Sequence, residues 1–118
     1  MDAAQLALPF DSRPLVAPDK GLTREERFRQ FHERNPQVYA WLVNAARQVK
    51  ARGRVVGMRL LIERLRWEIA LSIDRAGDAW RINNDYAPRF ARLIMAQEGD
   101  LAGFFETRER GDDEREAA

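Results

Sequence analysis

Residues 35–53 read NPQVYAWLVNAARQVKARG, and this stretch predicts a helical fold. Asn35 and Pro36 form a helix start signal, because asparagine suits the N-cap and proline suits the first helical position. Gly53 is the corresponding stop signal, so the helix should run to about Arg52. Its buried face is predicted from apolar residues that recur every three or four positions, namely Val38, Trp41, Leu42, Ala45 and Val49.

A shorter helix is predicted just before this one, over residues 24–33. Thr23 and Glu26 have the spacing of a capping box, in which each side chain accepts a hydrogen bond from the other residue's backbone. Phe28 and Phe31 fall on one side of that helix. His32 is the single histidine of the chain, and we interpret it as a solvated or capping residue.

A third helix is predicted over residues 58–70, after Gly57. Its buried stripe comprises Met58, Leu61, Ile62, Leu65 and Ile69. We expect Leu60, Trp67 and Leu71 to widen the stripe, which would make this helix central to the fold. By the same reasoning all three tryptophans belong to the core, at positions Trp41, Trp67 and Trp80.

The pattern changes after this helix. Short apolar alternation in residues 71–73 and 79–82 flanks the sequence DRAGD, which predicts a small β-hairpin with a glycine-containing loop. A last helix is predicted over about 87–97, with Pro88 in its first turn and Gly99 as its stop. Residues following Gly99, namely Leu101, Phe104 and Phe105, are expected to lie back on the core.

Together these elements predict a mainly α fold, a small four-helix domain with one β-hairpin. The domain should cover residues 22–106. Residues 1–21 are interpreted as a flexible tail and linker, and residues 107–118 as a disordered acidic tail.

Composition narrows the function classes. The chain has 118 residues and no cysteine, and no run of 18 apolar residues that could span a membrane. Its start lacks the basic and apolar regions of a signal peptide, so we expect a cytoplasmic protein with no membrane contact. A lone histidine without cysteine partners and the lack of a glycine-rich phosphate loop argue against a metal site, a cofactor and an enzyme.

Charge is distributed unevenly along the chain. Residues 21–97 carry 15 basic and eight acidic side chains, whereas residues 98–118 carry three basic and eight acidic ones. A basic body of this kind can bind phosphates of DNA. The arrangement of helices followed by a basic hairpin is reminiscent of winged-helix DNA-binding proteins. A solvated helix face is the alternative for the candidate DNA-binding residues, which are Arg47, Lys50, Arg52, Arg54, Arg59, Arg66, Arg75 and Arg81.

The N-terminal peptide QLALPF, residues 5–10, is apolar and lies in a proline-rich segment that disfavours a helix. It resembles the six-residue motif by which bacterial replication and repair proteins bind the DNA sliding clamp, except that Ala7 stands where serine or aspartate is commoner. The resemblance implies a polar anchor at Gln5 and cleft-filling side chains at Leu8 and Phe10. It also gives supporting roles to two further residues, Leu6 and Pro9.

That resemblance implies a protein that binds the bacterial sliding clamp and acts on replication or repair as an inhibitor or as an accessory factor. Two alternatives stay open. The apolar residues of the peptide could instead fasten the tail to the protein's own core. The protein could also be a winged-helix-like DNA-binding regulator whose N-terminal tail is structural.

The body also resembles small uncharacterised proteins of phages and prophages. The similar segments span most of residues 24–110 and have no established activity to carry over. They are Phe28, Phe31-His32, Asn35-Pro36, Val38-Tyr39, Glu63 to Trp67, Arg81 to Tyr86 and Phe104 to Arg108.

Overall fold

The first two helices begin at their predicted start signals. The computed structural model describes residues 10, 13–72 and 82–105 of the chain. Helix α1 spans Arg24–Arg34, and its capping box is present: the Thr23 hydroxyl accepts from the Glu26 N–H at 3.1 Å, and the Glu26 carboxylate accepts from the Thr23 N–H at 2.9 Å. Helix α2 spans Pro36–Ala51, with Pro36 in its first turn.

The turn between α2 and α3 depends on Gly53. This glycine has a φ of +72°, in the left-handed region that side chains disfavour, and its N–H donates to the Lys50 carbonyl at 2.8 Å. Helix α2 ends at Ala51, one residue before the predicted end at about Arg52. Helix α3 follows Gly57 and spans Met58–Ser72.

The end of α3 corrects part of the hairpin prediction. Leu71 and Ser72, expected in the first strand, belong to the helix, which extends two residues past the predicted end. Ala70 and Leu71 are strong helix formers, which favours this extension. Ile82 is buried without strand structure, and residues 73–81 lie outside the described residues. In the part of the chain that the structure describes there are four α-helices and no strand, so a β-hairpin is not supported there.

Helix α4 spans Tyr86–Gln97, and a short 3₁₀ helix at Gly99–Leu101 follows it. The chain turns into α4 through Asn83, whose side-chain oxygen accepts from the Asp85 N–H at 2.8 Å and whose carbonyl accepts from the Tyr86 N–H at 3.0 Å. Leu101 and Phe105 are buried, which confirms that the segment after the last helix lies back on the core.

The core lies between α2, α3 and α4, which contact one another, while α1 packs on α2. Its centre is formed by side chains with almost no solvent exposure: Val38, Leu42, Ile62, Leu65, Ile69, Phe90, Ile94 and Leu101. Aromatic rings join α1 to α4, with the rings of Phe28 and Phe90 meeting edge to face at 4.9 Å. None of the described helices is long and apolar enough to cross a lipid bilayer.

One face of α3 contradicts the predicted core. Leu60, Trp67 and Leu71 are 61%, 62% and 68% exposed, so they do not widen the buried stripe. The five predicted stripe residues of α3 are buried and already cover the side that faces α2 and α4. Successive residues of a helix are rotated by 100° about its axis, so Leu60, Trp67 and Leu71 point away from the side that faces α2 and α4. Among the tryptophans, Trp41 is buried as predicted, and Trp80 lies outside the described residues.

Candidate functional site

The predicted clamp-binding peptide enters the described part of the chain at Phe10. This side chain is only 6% exposed and belongs to the same core cluster as Leu15, Phe28 and Phe31. Phe10 therefore lies against the protein's own body, as the alternative of a fastened tail expects for this residue. The remaining motif residues, Gln5, Leu6, Leu8 and Pro9, lie outside the described residues.

The chain that follows Phe10 is fastened by Asn35, the one buried polar residue among those described. The Asn35 side-chain oxygen accepts from the Val16 N–H at 2.7 Å, and its amide donates to the Val16 carbonyl at 2.8 Å and to the Phe31 carbonyl at 2.9 Å. Asn35 was predicted to cap α2, but its side chain makes no cap hydrogen bond. It binds Val16 instead, because that backbone offers both a donor and an acceptor.

A second set of contacts holds residues 17–19 against α1. Arg34 donates to the Ala17 carbonyl at 2.9 Å and to the Asp19 carboxylate at 3.1 Å, while Gln30 accepts from the Asp19 N–H at 2.6 Å. The hydrogen bond and charge of Arg34 hold the pKa of Asp19 below its ordinary value. Residues 15–19, predicted as flexible linker, thus lie along the body, because side chains of α1 satisfy their backbone.

Arg47, the first of the candidate DNA-binding residues, is engaged by acids that follow α4. It donates to Glu98 at 2.9 Å and to Asp100 at 2.8 and 3.0 Å, and the Tyr39 hydroxyl donates to Glu98 at 2.8 Å. Hydrogen bonding by Arg47 lowers the pKa of Asp100, whereas burial and the neighbouring Glu98 raise the pKa of Tyr39. Lys50 donates to the Asp100 carbonyl. This cluster connects α2 to the end of α4.

Two of the other candidate basic residues, Arg52 and Arg66, contact oxygen atoms of the protein itself. Arg52 donates to the Gln48 carbonyl at 3.1 Å, and Arg66 donates to the Ile82 carbonyl and to Asn84 at 2.7 Å. Arg54 and Arg59 are exposed. The predicted hairpin residues Arg75 and Arg81 lie outside the described residues.

His32, predicted to be a solvated or capping residue, is half-buried among aromatic rings. Its ring lies 5.1 Å from that of Tyr39, 6.0 Å from that of Phe90 and 6.2 Å from that of Phe28. Burial lowers the pKa of His32, and its Nδ1 has no hydrogen-bond partner. The histidine thus serves as an aromatic packing residue that is disfavoured in its charged form.

The outer side of α3 carries an exposed apolar surface, although its apolar residues were predicted to be buried. Leu60, Trp67 and Leu71 recur there at intervals of seven and four residues, and Arg64 falls between them on the same side. We name these four residues the α3 stripe. Arg64 donates to Glu68 of the same helix at 2.9 Å. The periodicity predicted the buried face of α3 correctly, but it did not show that the other helices would leave the second apolar side uncovered.

No protein-family model, curated protein or solved structure matches this chain. Across residues 13–72 and 82–105, no group of three or more histidine, aspartate and glutamate side chains could hold a metal ion. Three features of the described residues are candidate sites: the Phe10 segment, the basic residues of α2 and α3, and the α3 stripe.

Proposed function

We propose that this protein is a binding module that docks on the bacterial DNA sliding clamp through residues 5–10. The observation that carries the proposal is the spacing of Gln5, Leu8 and Phe10 in the peptide QLALPF. Peptides of this type bind through a few apolar side chains that fill a cleft, and a polar group at its rim fixes their register.

The surroundings of Phe10 support a docking step that leaves the fold intact. The core cluster shields Phe10 much as a cleft on a partner would, and the fastening at Val16 lies six residues farther along the chain. An extended chain covers about 3.4 Å per residue, so Phe10 can move roughly 17 Å from Leu15 while residues 15–19 stay in place. Docking then exchanges one apolar environment of Phe10 for another.

Occupation of the clamp has two consequences for replication. A module seated in the cleft competes with polymerases that use the same cleft, which makes the protein an inhibitor. A module that only brings its body to replicating DNA acts as an accessory factor. Primer extension by a clamp-dependent polymerase distinguishes an inhibitor from an accessory factor. Only an inhibitor lowers the rate of primer extension as the concentration of this protein rises above that of the clamp.

The deciding experiment measures binding of a fluorescent peptide of residues 1–16 to purified bacterial sliding clamp. We expect micromolar binding that is lost when Gln5, Leu8 and Phe10 are replaced by alanine. The matched control is Ala7→Ser, which restores the commoner residue of the motif and should keep or improve the affinity. If neither the peptide nor the intact protein binds the clamp, the proposal is wrong.

The alternative of a winged-helix-like DNA-binding regulator is tested by the same samples. Arg47, Lys50 and Arg66 have intramolecular partners among the described residues, and none of these contacts favours phosphate binding. A body that contacts phosphates loses affinity for DNA steeply as salt is added, whereas apolar docking on the clamp depends weakly on salt. A steep salt dependence together with no clamp binding would establish the alternative.

A further inference from the structure

We infer that the α3 stripe is a dimer interface at which two copies of this chain pair their α3 helices antiparallel. This inference is independent of clamp binding. The stripe exposes three large apolar side chains on one side of a 15-residue helix, whereas isolated exposed apolar residues are ordinary. A contiguous stripe with a central tryptophan is typical of a surface that another helix covers.

The sequence of α3 indicates a second copy as the partner. Residues 60–71 read LLIERLRWEIAL, and three of the six pairs related by the point between residues 65 and 66 are identical: Leu60 and Leu71, Ile62 and Ile69, and Glu63 and Glu68. A two-fold axis through that point pairs each residue with a residue of the other copy, and the two residue numbers of every pair add up to 131. Leu60 then meets Leu71 of the other copy, and Arg64 meets Trp67. An interface with two-fold symmetry must be self-complementary in this way.

Charge complementarity supports the same register. Arg64 would lie over the indole ring of Trp67 in the other copy, and this contact would occur twice because of the symmetry. Arginine over tryptophan is a favourable cation–π pair. The register also brings Glu63 to the height of Glu68 of the other copy, but Glu68 already accepts a hydrogen bond from Arg64 at 2.9 Å. The arginine therefore offsets the acidic pair that the symmetry creates.

Packing of α3 in the monomer leaves room for this arrangement. Leu61, Ile62, Leu65 and Ile69 face the core, so the stripe can be covered without disturbing α2 or α4. Three apolar side chains from each copy and two cation–π pairs in total form a small interface, below the size of stable obligate dimers. The dimer should therefore dissociate in the micromolar range.

The first test is the molar mass of the full chain by sedimentation equilibrium over a range of concentrations. We expect a reversible monomer–dimer equilibrium that Trp67→Glu weakens at least tenfold, because the charge replaces the central apolar contact. Val55→Glu is the matched control: Val55 is 79% exposed and precedes α3, so this variant should dimerise like the wild type. Circular dichroism should show both variants folded, since both side chains are exposed.

The second test uses single cysteines, which the chain lacks. With 1.5 Å of rise per residue, the two copies of Arg64 lie about 4–5 Å apart along the helix axis, and the two copies of Leu60 about 16 Å apart. In a glutathione redox buffer Arg64→Cys should form a disulfide-linked dimer and Leu60→Cys should not. A mixture of the Leu60→Cys and Leu71→Cys proteins should form a disulfide-linked dimer of one copy of each, because position 60 of one copy faces position 71 of the other.

Each contrary result overturns the inference. A chain that stays monomeric up to about 500 μM has no such interface, given the micromolar affinity that an interface of this size implies. A dimer that tolerates Trp67→Glu, or that Val55→Glu disrupts equally, uses another surface. Cross-linking of Leu60→Cys with itself would indicate parallel helices, which excludes the proposed register.

Discussion

Asn35 fastens the N-terminal segment, and its replacement should destabilise the fold. It is fully buried and makes three hydrogen bonds, two of them to Val16. Asn35→Ala leaves those backbone groups without partners, and we expect a loss of about 2–3 kcal/mol in the free energy of unfolding, measured by urea denaturation. Asn44→Ala, at an exposed site of α2, should change it by less than about 0.5 kcal/mol. Equal effects of the two variants would contradict this role.

His32 gives the fold a dependence on pH. Its pKa is lowered by burial, from an ordinary value of 6.5, so the unfolded chain binds more protons than the folded chain between the lowered pKa and 6.5. The stability that this residue contributes is complete above pH 6.5 and is lost as the pH falls through the lowered pKa. Asp19, Glu26 and Asp100 also have lowered pKa values, but these groups change the stability of the fold only below about pH 4.5.

We therefore expect the melting temperature of the wild type to fall between pH 7 and pH 5. His32→Phe should remove most of that decrease, because phenylalanine retains the ring contacts with Tyr39 and Phe90 and has no proton to gain. Differential scanning calorimetry of both proteins across this range is the measurement. A decrease of the same size in His32→Phe would show that another group is responsible.

At the scale of the elements, the turn between α2 and α3 depends on one backbone conformation. Gly53 has a φ of +72°, whereas Gly57 in the same turn has no positive φ, and an added Cβ would contact nothing within 4 Å at either position. We expect Gly53→Ala to cost about 1–2 kcal/mol in unfolding free energy, because alanine is strained in the left-handed region. Gly57→Ala should be close to neutral. If both variants unfold at the same urea concentration, conformational strain is not what Gly53 relieves.

Helix boundaries were predictable because short-range chemistry sets them. The Thr23 capping box, Pro36 and Gly53 placed three helix ends within one residue. The side of α3 that faces the core was predictable, but the exposure of its second apolar side was not, because only the positions of α2 and α4 decide how much of the helix is covered. Trp67 was therefore assigned to the core although it is exposed.

The candidate sites depended on contacts between residues distant in sequence. Asn35 binds a segment 19 residues earlier, and Arg47 binds acids 51 and 53 residues later. Neither pairing leaves a local periodic signal. Residues 98–118 carry an excess of acids, and two of these, Glu98 and Asp100, form ion pairs with Arg47.

At the scale of the whole molecule, intramolecular contacts engage residues that were candidates for binding an external partner. Beyond α4, the Asp100 carboxylate accepts from Arg47 and the Asp100 carbonyl accepts from Lys50, while Phe10 and Leu15 of the N-terminal segment are buried in the core. Phe10, Arg47 and Lys50, which the sequence suggested for external partners, thus have intramolecular contacts in the described residues. Any external partner of the Phe10 segment must compete with the body for that side chain.

This competition gives a last prediction, which depends on the proposed clamp binding. Removing Phe10 from the core should cost about 1.5–3 kcal/mol of apolar burial, so the intact chain should bind the clamp roughly 10- to 100-fold more weakly than the peptide of residues 1–16. Asn35→Ala should narrow the difference, because it loosens the segment that holds Phe10 in place, whereas Asn44→Ala should not. Fluorescence competition of each protein against the labelled peptide measures all four affinities. If the intact chain binds the clamp as tightly as the peptide does, moving Phe10 out of the core has no free-energy cost, and the body does not compete with the clamp.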